Sequence, residues 1–242
     1  MRNAREIIAK NVAPMIRDGD FVNLGVGIPS LVSNYIPKDK TVILHGENGS
    51  AGLAGRLPLE GIFDDAETFL QWERTHSGEK GDYRTGHKDL TDAGSDPALL
   101  MPGACNFDTC MSFAMSRGGH LDMTVLGAMQ VDQEGNLANW MIPGALVTGM
   151  GGAMDIISGT KKVIVATQMC AKDGTPKLLK RCTLPLTAQR RVTMVVTEKC
   201  IAEIRDGRFV VISMYPGVTQ EALQSCAEAE LLFAERIGTM LE

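Results

Sequence analysis

Glu47 is the residue of this chain best placed to do chemistry. It stands just past the apolar run Thr41-Val42-Ile43-Leu44 and between glycines, in Gly46-Glu47-Asn48-Gly49. A β-branched apolar run that stops abruptly reads as a buried strand, and open α/β sheets bind ligands beyond the carboxyl ends of their strands. Glu47 is therefore a candidate reacting carboxylate. Its glycine neighbours lack a Cβ, so the backbone can turn sharply and a bulky ligand can come close. A glutamate side chain is ionised near neutrality and can attack a carbonyl without a general base, so no Ser-His-Asp arrangement is required. Taken alone, the same residue is equally an ordinary solvated glutamate in a Gly-rich turn.

The elements around it follow from periodicity. Ala4, Ile8, Val12, Met15 and Ile16 recur at helical spacing and end before Asp18-Gly19-Asp20. Phe21-Val22-Asn23-Leu24 reads as a short strand running into Gly25-Val26-Gly27, followed by a helix over Ser30–Tyr35. That order presents backbone N–H groups to an anion, or is simply a tight strand-to-helix turn. Asp108 caps a helix through about Ser116, and Met123–Leu126 and Lys162–Ala166 are further strands. Thr193–Val196 is another, then Ile201–Arg205 and Arg208–Ile212 form a hairpin on a type I′ Asp206-Gly207 turn. Leu223, Cys226, Ala227 and Leu231 predict a closing helix after Thr219. The resulting fold class is α/β: an open, largely parallel sheet covered by helices, with a C-terminal β-hairpin and helix. Without a repeat or linker, residues 1–242 read as one domain. A charged excursion interrupts it at about 56–92.

Composition removes several function classes. The chain has 242 residues, 44 % hydrophobic and 22 % charged, enough for a full core. A net charge of −5 argues against nucleic-acid binding. The N-terminus has no long apolar stretch after its charges, and no apolar run spans a bilayer, so the expectation is a cytoplasmic protein without membrane contact. Six cysteines show neither a Cys-x-x-Cys pair nor zinc spacing, and are expected to be reduced and mostly buried. His76 and His87 sit among carboxylates without a ligand spacing, so no metal site is expected.

The motifs taken together resemble a known family. Leu44-His45-Gly46-Glu47-Asn48-Gly49 is similar to the catalytic signature of family I coenzyme A transferases, specifically the β subunit of the acetoacetate/butyrate and 3-oxoacid types. Asp18–Pro29, Met101-Pro102-Gly103-Ala104, Arg117–Asp122 and Gly149–Asp155 extend the likeness, in the family's order, from Ile7 to about Glu203. The family usually has Ser at the place of Gly46 and apolar residues at those of Ser50 and Ala51, and the 56–92 stretch is longer than the resemblance predicts.

The resemblance implies transfer of coenzyme A between short-chain carboxylic acids, of acetate, acetoacetate or butyrate type, by a ping-pong mechanism through a glutamyl-CoA thioester on Glu47. It further implies an α-subunit partner in an α2β2 or related heterooligomer, and no cofactor beyond the CoA thioester substrate. Negative charge develops on a carbonyl oxygen in each step, and N–H donors there are worth about 3 to 4 kcal/mol each. Gly25, Gly27, Gly151 and Gly152 are the candidate backbone donors, with Asn48 beside Glu47. Asn136 is a candidate polar group of the acyl pocket or a structural turn residue. Asp155 reads as a helix N-cap, and Lys177, Lys180, Arg181, Arg190 and Arg191 as a solvated basic face rather than a phosphate site. Two other classes stay open at this stage: a sugar-phosphate isomerase with Glu47 as general base, and a non-catalytic acyl-CoA-binding subunit.

Overall fold

Ten strands form one mixed sheet in the computed structural model, which describes residues 4–37, 39–56, 62–63, 86–87, 91–94, 98–147 and 149–242. They are β1 (Phe21–Leu24), β2 (Ile43–Gly46), β3 (Ser50–Arg56), β4 (Ala98–Asn106), β5 (Met123–Leu126), β6 (Lys162–Ala166), β7 (Met194–Val196), β8 (Cys200–Arg205), β9 (Arg208–Met214) and β10 (Leu231–Thr239). Their spatial order is β10-β9-β8-β7-β6-β5-β1-β2-β3-β4. The helices are α1 (Ala4–Val12), α2 (Ile28–Leu31), α3 (Thr109–Arg117), α4 (Ala153–Gly159) and α5 (Gln220–Gln224).

The central strands β7, β6, β5, β1 and β2 are parallel neighbours, with Val22 opposite both Leu44 and Met123. A parallel sheet is covered on both faces, so its strands are largely apolar and successive residues face opposite sides of the sheet. Met123, Val125, Ile164, Ala166, Met194 and Val196 meet Ile7, Ile8 and Val12 of α1 on one face. Leu126, Val163, Val165 and Val195 meet Ile157 of α4 and Leu223 of α5 on the other. Fully burying each such side chain contributes about 1.5–3 kcal/mol.

The outer pairings β2–β3, β3–β4, β7–β8 and β8–β9 are antiparallel. The Asp206-Gly207 hairpin is present, with φ of 50° and 70° at those two residues as a type I′ turn requires. The helix capped by Asp108 is also present, its carboxylate accepting from Met111 N at 2.8 Å. The expected closing helix is shorter than its apolar spacing predicted. It starts at the Thr219 cap and stops at Gln224, whose side chain donates to Ala229 O and accepts from Leu231 N. Leu231 thereby begins β10, parallel to β9, instead of extending the helix.

Strands β3 and β4, which the sequence reading did not assign, carry small residues and Pro102-Gly103. The register shifts between Ala51 and Leu53. Gly52 has φ +91°, and a Cβ on it would lie 2.8 Å from that of Ala104. Pro102 is tolerated because β4 is an edge strand with a bulge. Most of the 56–92 excursion, including His76, lies outside the described residues; Ile62–Phe63 and Gly86–His87 pair in parallel. Among the described residues, no helix is long and apolar enough to cross a membrane.

Candidate active site

The carboxyl ends of β5, β1 and β2 lie side by side, and Glu47 is the first residue past β2. The chain reverses there: Gly49 N donates to Gly46 O at 3.0 Å, and β3 returns antiparallel. Glycine is required at 49, where φ is +119° and a Cβ would stand 2.2 Å from Phe107 O. Phe107 N donates to Gly49 O at 3.0 Å, fastening the turn to the strand-to-helix corner before α3. At Gly46 a Cβ would meet Asn48 Oδ1 at 2.7 Å. Glycine at this position therefore gives the Asn48 side chain its room.

Beneath Glu47 the second face of the sheet turns from apolar to polar. Asn23 of β1, His45 of β2 and Thr124 of β5 are buried there, together with Ser112 of α3. Thr124 Oγ1 donates to Asn23 Oδ1 at 3.1 Å, and Asn23 Nδ2 donates to Glu47 Oε2 at 3.1 Å and to His45 O at 3.2 Å. The amide is thus held from behind while it holds the carboxylate. His45 Nε2 lies 3.0 Å from Ser112 Oγ, and its ring sits between Phe21 and Phe107. Burial pushes the His45 imidazole down to about 4, so the ring is neutral at pH 7. Buried polar groups of this kind are tolerated only when hydrogen-bonded, and the connected set fixes one geometry for the Glu47 side chain.

Gly152 is brought against Glu47: a Cβ on it would lie 3.2 Å from Glu47 Cγ and 2.8 Å from the Phe113 ring of α3. Gly151 beside it is exposed and left-handed, with φ +50°. Helices α3 and α4 touch backbone to backbone, because a Cβ on Gly159 would stand 2.1 Å from Ser116 O. Arg117 of α3 pairs with Asp155 of α4 at 2.8 Å. Asp155 is therefore an ion-pair partner in the first turn rather than the N-cap expected for it, a position taken by Gly152.

The remaining candidates are engaged elsewhere. Gly25 N donates to Val125 O at 2.9 Å, which leaves Val26 and Gly27 as the open part of that turn. Gly27 adopts φ +91° with open space around it. Asn48 Nδ2 donates to Thr91 O at 2.8 Å, and a Cβ on Gly94 would meet Val26 at 2.9 Å, so the end of the excursion rests on the turns after β1 and β2. Asn136 donates to Asp132 Oδ2 and accepts from Arg190 N, its turn role.

The basic segment is not a continuous solvated face. Lys177 Nζ donates to Ala128 O and Thr167 Oγ1, Arg191 donates to the carbonyls of Ile157 and Thr160 at the end of α4, and Arg190 pairs with Glu134. The cysteines are less buried than expected: only Cys200 is fully enclosed, and Cys105 and Cys110 are exposed. Among the described residues no group of three or more His, Cys, Asp or Glu side chains is arranged to hold a metal. A cavity of about 700 Å³ opens beside the start of β2, lined by Ile36, Val42, Ile43, Leu53, Met101 and Pro102. Glu47 is not in its wall.

Asn23, His45, Thr124 and Ser112 were not singled out by sequence. Their signal was polarity inside strands that should be apolar on both faces, but only the register Asn23 opposite His45 and Thr124 shows that the three share one face.

The family model for coenzyme A transferase matches residues 5–81 and 83–225. The chain belongs to the coenzyme A transferase family. The β subunit of the acetate CoA-transferase of Escherichia coli K12 is 43 % identical over 237 residues, covering 98 % of this chain and 97 % of that protein. One subunit of a probable succinyl-CoA:3-ketoacid coenzyme A transferase of Bacillus subtilis is 38 % identical, covering 98 % and 99 %. The acyl-CoA transferase YdiF of Escherichia coli O157:H7 shares the fold, with a TM-score of 0.69 at 19 % identity over 100 % of this chain and 44 % of its own. Coenzyme A transferases move CoA between acids, and this membership decides against the sugar-phosphate isomerase alternative.

Proposed function

We propose that this chain is the β subunit of a coenzyme A transferase whose Glu47 carries CoA as a glutamyl thioester between two short carboxylic acids. The observation that supports it best is the carboxylate itself: it sits at the end of β2, half-buried, held by Asn23 Nδ2 at 3.1 Å and flanked by Gly152. One carboxylate oxygen is fixed and the group remains accessible for attack.

Glu47 attacks the acyl-CoA carbonyl, forming a mixed anhydride and releasing CoA thiolate; the thiolate attacks the glutamyl carbonyl, forming the enzyme thioester and releasing the first acid. The second acid reverses both steps. Backbone N–H groups of the Gly151-Gly152 and Val26-Gly27 turns are the candidate donors to the oxyanions. Acids of the acetate and 3-ketoacid type are the expected substrates, since relatives aligned over nearly their whole length carry those names. No cofactor other than CoA enters the sequence of steps.

An α-type partner chain completes the cleft. The relatives are named as subunits, and Val26, Met111 and Met150 are exposed apolar side chains in the turns and helix start beside Glu47. Of the basic segment, Lys177, Arg190 and Arg191 are engaged in structural contacts, whereas Lys180 and Arg181 are exposed.

The test uses this chain assembled with its α-type partner. Incubated with acetyl-CoA or acetoacetyl-CoA without acceptor acid and quenched with borohydride or hydroxylamine, it should yield a modified peptide containing Glu47. A modification at another residue defeats the assignment, and bound acyl-CoA without any adduct identifies a non-catalytic role in binding.

A further inference from the structure

Away from Glu47, three loops converge on two cysteines. Cys170 lies in the loop after β6, Cys226 follows α5, and Lys199 lies in the turn before β8. Lys199 Nζ stands 3.0 Å from Cys226 Sγ. Cys170 Sγ donates toward Cys226 O from 3.6 Å, which places the two cysteines side by side. All three side chains are partly exposed, so a small reagent reaches them.

The charges nearby leave Lys199 as the cation that faces Cys226. Glu198 accepts from Met169 N at 2.9 Å, and Lys177 is occupied by Ala128 O and Thr167 Oγ1. The lysine ammonium holds the Cys226 thiol below its ordinary range, whereas burial raises Cys170. Thiolates react and thiols do not, and a low-pKa thiol beside a second cysteine is the arrangement of an oxidisable pair. The exposed Cys105 and Cys110 serve as internal controls, since they are more accessible than this pair.

We propose that Cys226 is a peroxide-reactive thiolate and Cys170 its resolving cysteine. The Cys226 sulfur attacks the peroxide, an S–O bond forms as the O–O bond breaks, and the departing oxygen takes a proton to leave as water or an alcohol. Cys170 then attacks the sulfenic sulfur as its proton passes to the departing oxygen; the S–S bond forms, the S–O bond breaks, and water leaves. Two thiols and one peroxide give one disulfide, one water and one water or alcohol.

The experiment treats the assembled protein with hydrogen peroxide at pH 7 and maps the products by mass spectrometry. Wild type should give a peptide pair joined through Cys170 and Cys226, and Cys170→Ser with dimedone should carry the adduct on Cys226. Lys199→Gln should slow oxidation of Cys226 at least severalfold, because it removes the cation that favours the thiolate, with the melting temperature unchanged. Lys199→Arg should restore the rate. Oxidation confined to Cys105 and Cys110, or a Cys226 rate unmoved by Lys199→Gln, overturns the proposal. A product joining Cys226 to Lys199 overturns the role of Cys170.

Discussion

Glu47 and Asp132 are both acidic residues at a strand end, and their surroundings are opposite. Asp132 is 1 % exposed and accepts from Glu134 N, Asn136 N, Asn136 Nδ2 and Cys182 N, all within 3.1 Å. Burial and its charge push the neighbouring Cys182 thiol up to about 12. Glu47 is half-buried and takes its side-chain hydrogen bond from Asn23. A carboxylate whose lone pairs are filled by N–H donors braces a loop, whereas one gripped at a single oxygen keeps electrons to spend on a substrate. Residue type alone does not separate these roles; the number of donors and the access to solvent do.

Substitutions should split along that line. Glu47→Gln preserves shape but removes the proposed nucleophile, so transfer should fall about 10⁴-fold or more, over 5 kcal/mol, with the melting temperature shifted by no more than about 2 °C. Steady-state exchange and calorimetry on one preparation check both halves; a Glu47→Gln protein with near-normal exchange ends the comparison.

Asp132→Asn should show the reverse signature. Its amide presents N–H to donors that faced a carboxylate, so unfolding free energy in urea should drop by about 2–4 kcal/mol while the folded protein retains its transfer rate. Loss of transfer at unchanged stability would move Asp132 into the site.

The histidine under Glu47 sharpens the contrast through pH. The folded state keeps His45 neutral down to about 4, against 6.5 for an ordinary histidine. The unfolded chain therefore binds the extra proton between those values, and stability falls as pH drops from 6.5 toward 4. The full loss from this group is roughly 3 kcal/mol. Urea unfolding at pH 7, 5.5 and 4.5 should show wild type losing more stability than His45→Gln; parallel curves would mean that the ring is not held neutral.

The smallest effect belongs to Asn23→Ala. The substitution removes the bond to the Glu47 carboxylate along with those to His45 O and Thr124; loss of the charged bond, about 1.5–3 kcal/mol, should lower kcat roughly 10- to 150-fold, with KM near its original value. An unchanged kcat would show that Glu47 is aimed by something else.

Much of this was legible in the chain because central parallel strands are apolar on both faces, so Met123–Leu126 and Lys162–Ala166 announce themselves. Glu47 was visible because an apolar run ends on it between glycines. Asn23, His45 and Thr124 were not, since a polar residue in a strand shows its face only when the neighbouring strand's register is known. Asn48 and Asn136 were both candidates in sequence, and their amides are taken up by Thr91 and Arg190 over long separations and, for Asn136, also by Asp132 within its own turn. The closing helix was overextended because the stop comes from the Gln224 side chain, which reaches forward to β10, and not from a helix-breaking residue.

The backbone contact at Gly159 has a consequence for how such an enzyme evolves. With no side chain between α3 and α4, and with Arg117 clasping Asp155, the two helices form a common plate that offers Ser112 to His45, Phe113 to Gly152, and Gly152 to Glu47. Val26 and Met150, by contrast, are exposed side chains on the loops around that plate. Mutations there can change what those loops touch while Glu47 stays in register, so the surroundings of the carboxylate can drift through generations without its support being rebuilt each time.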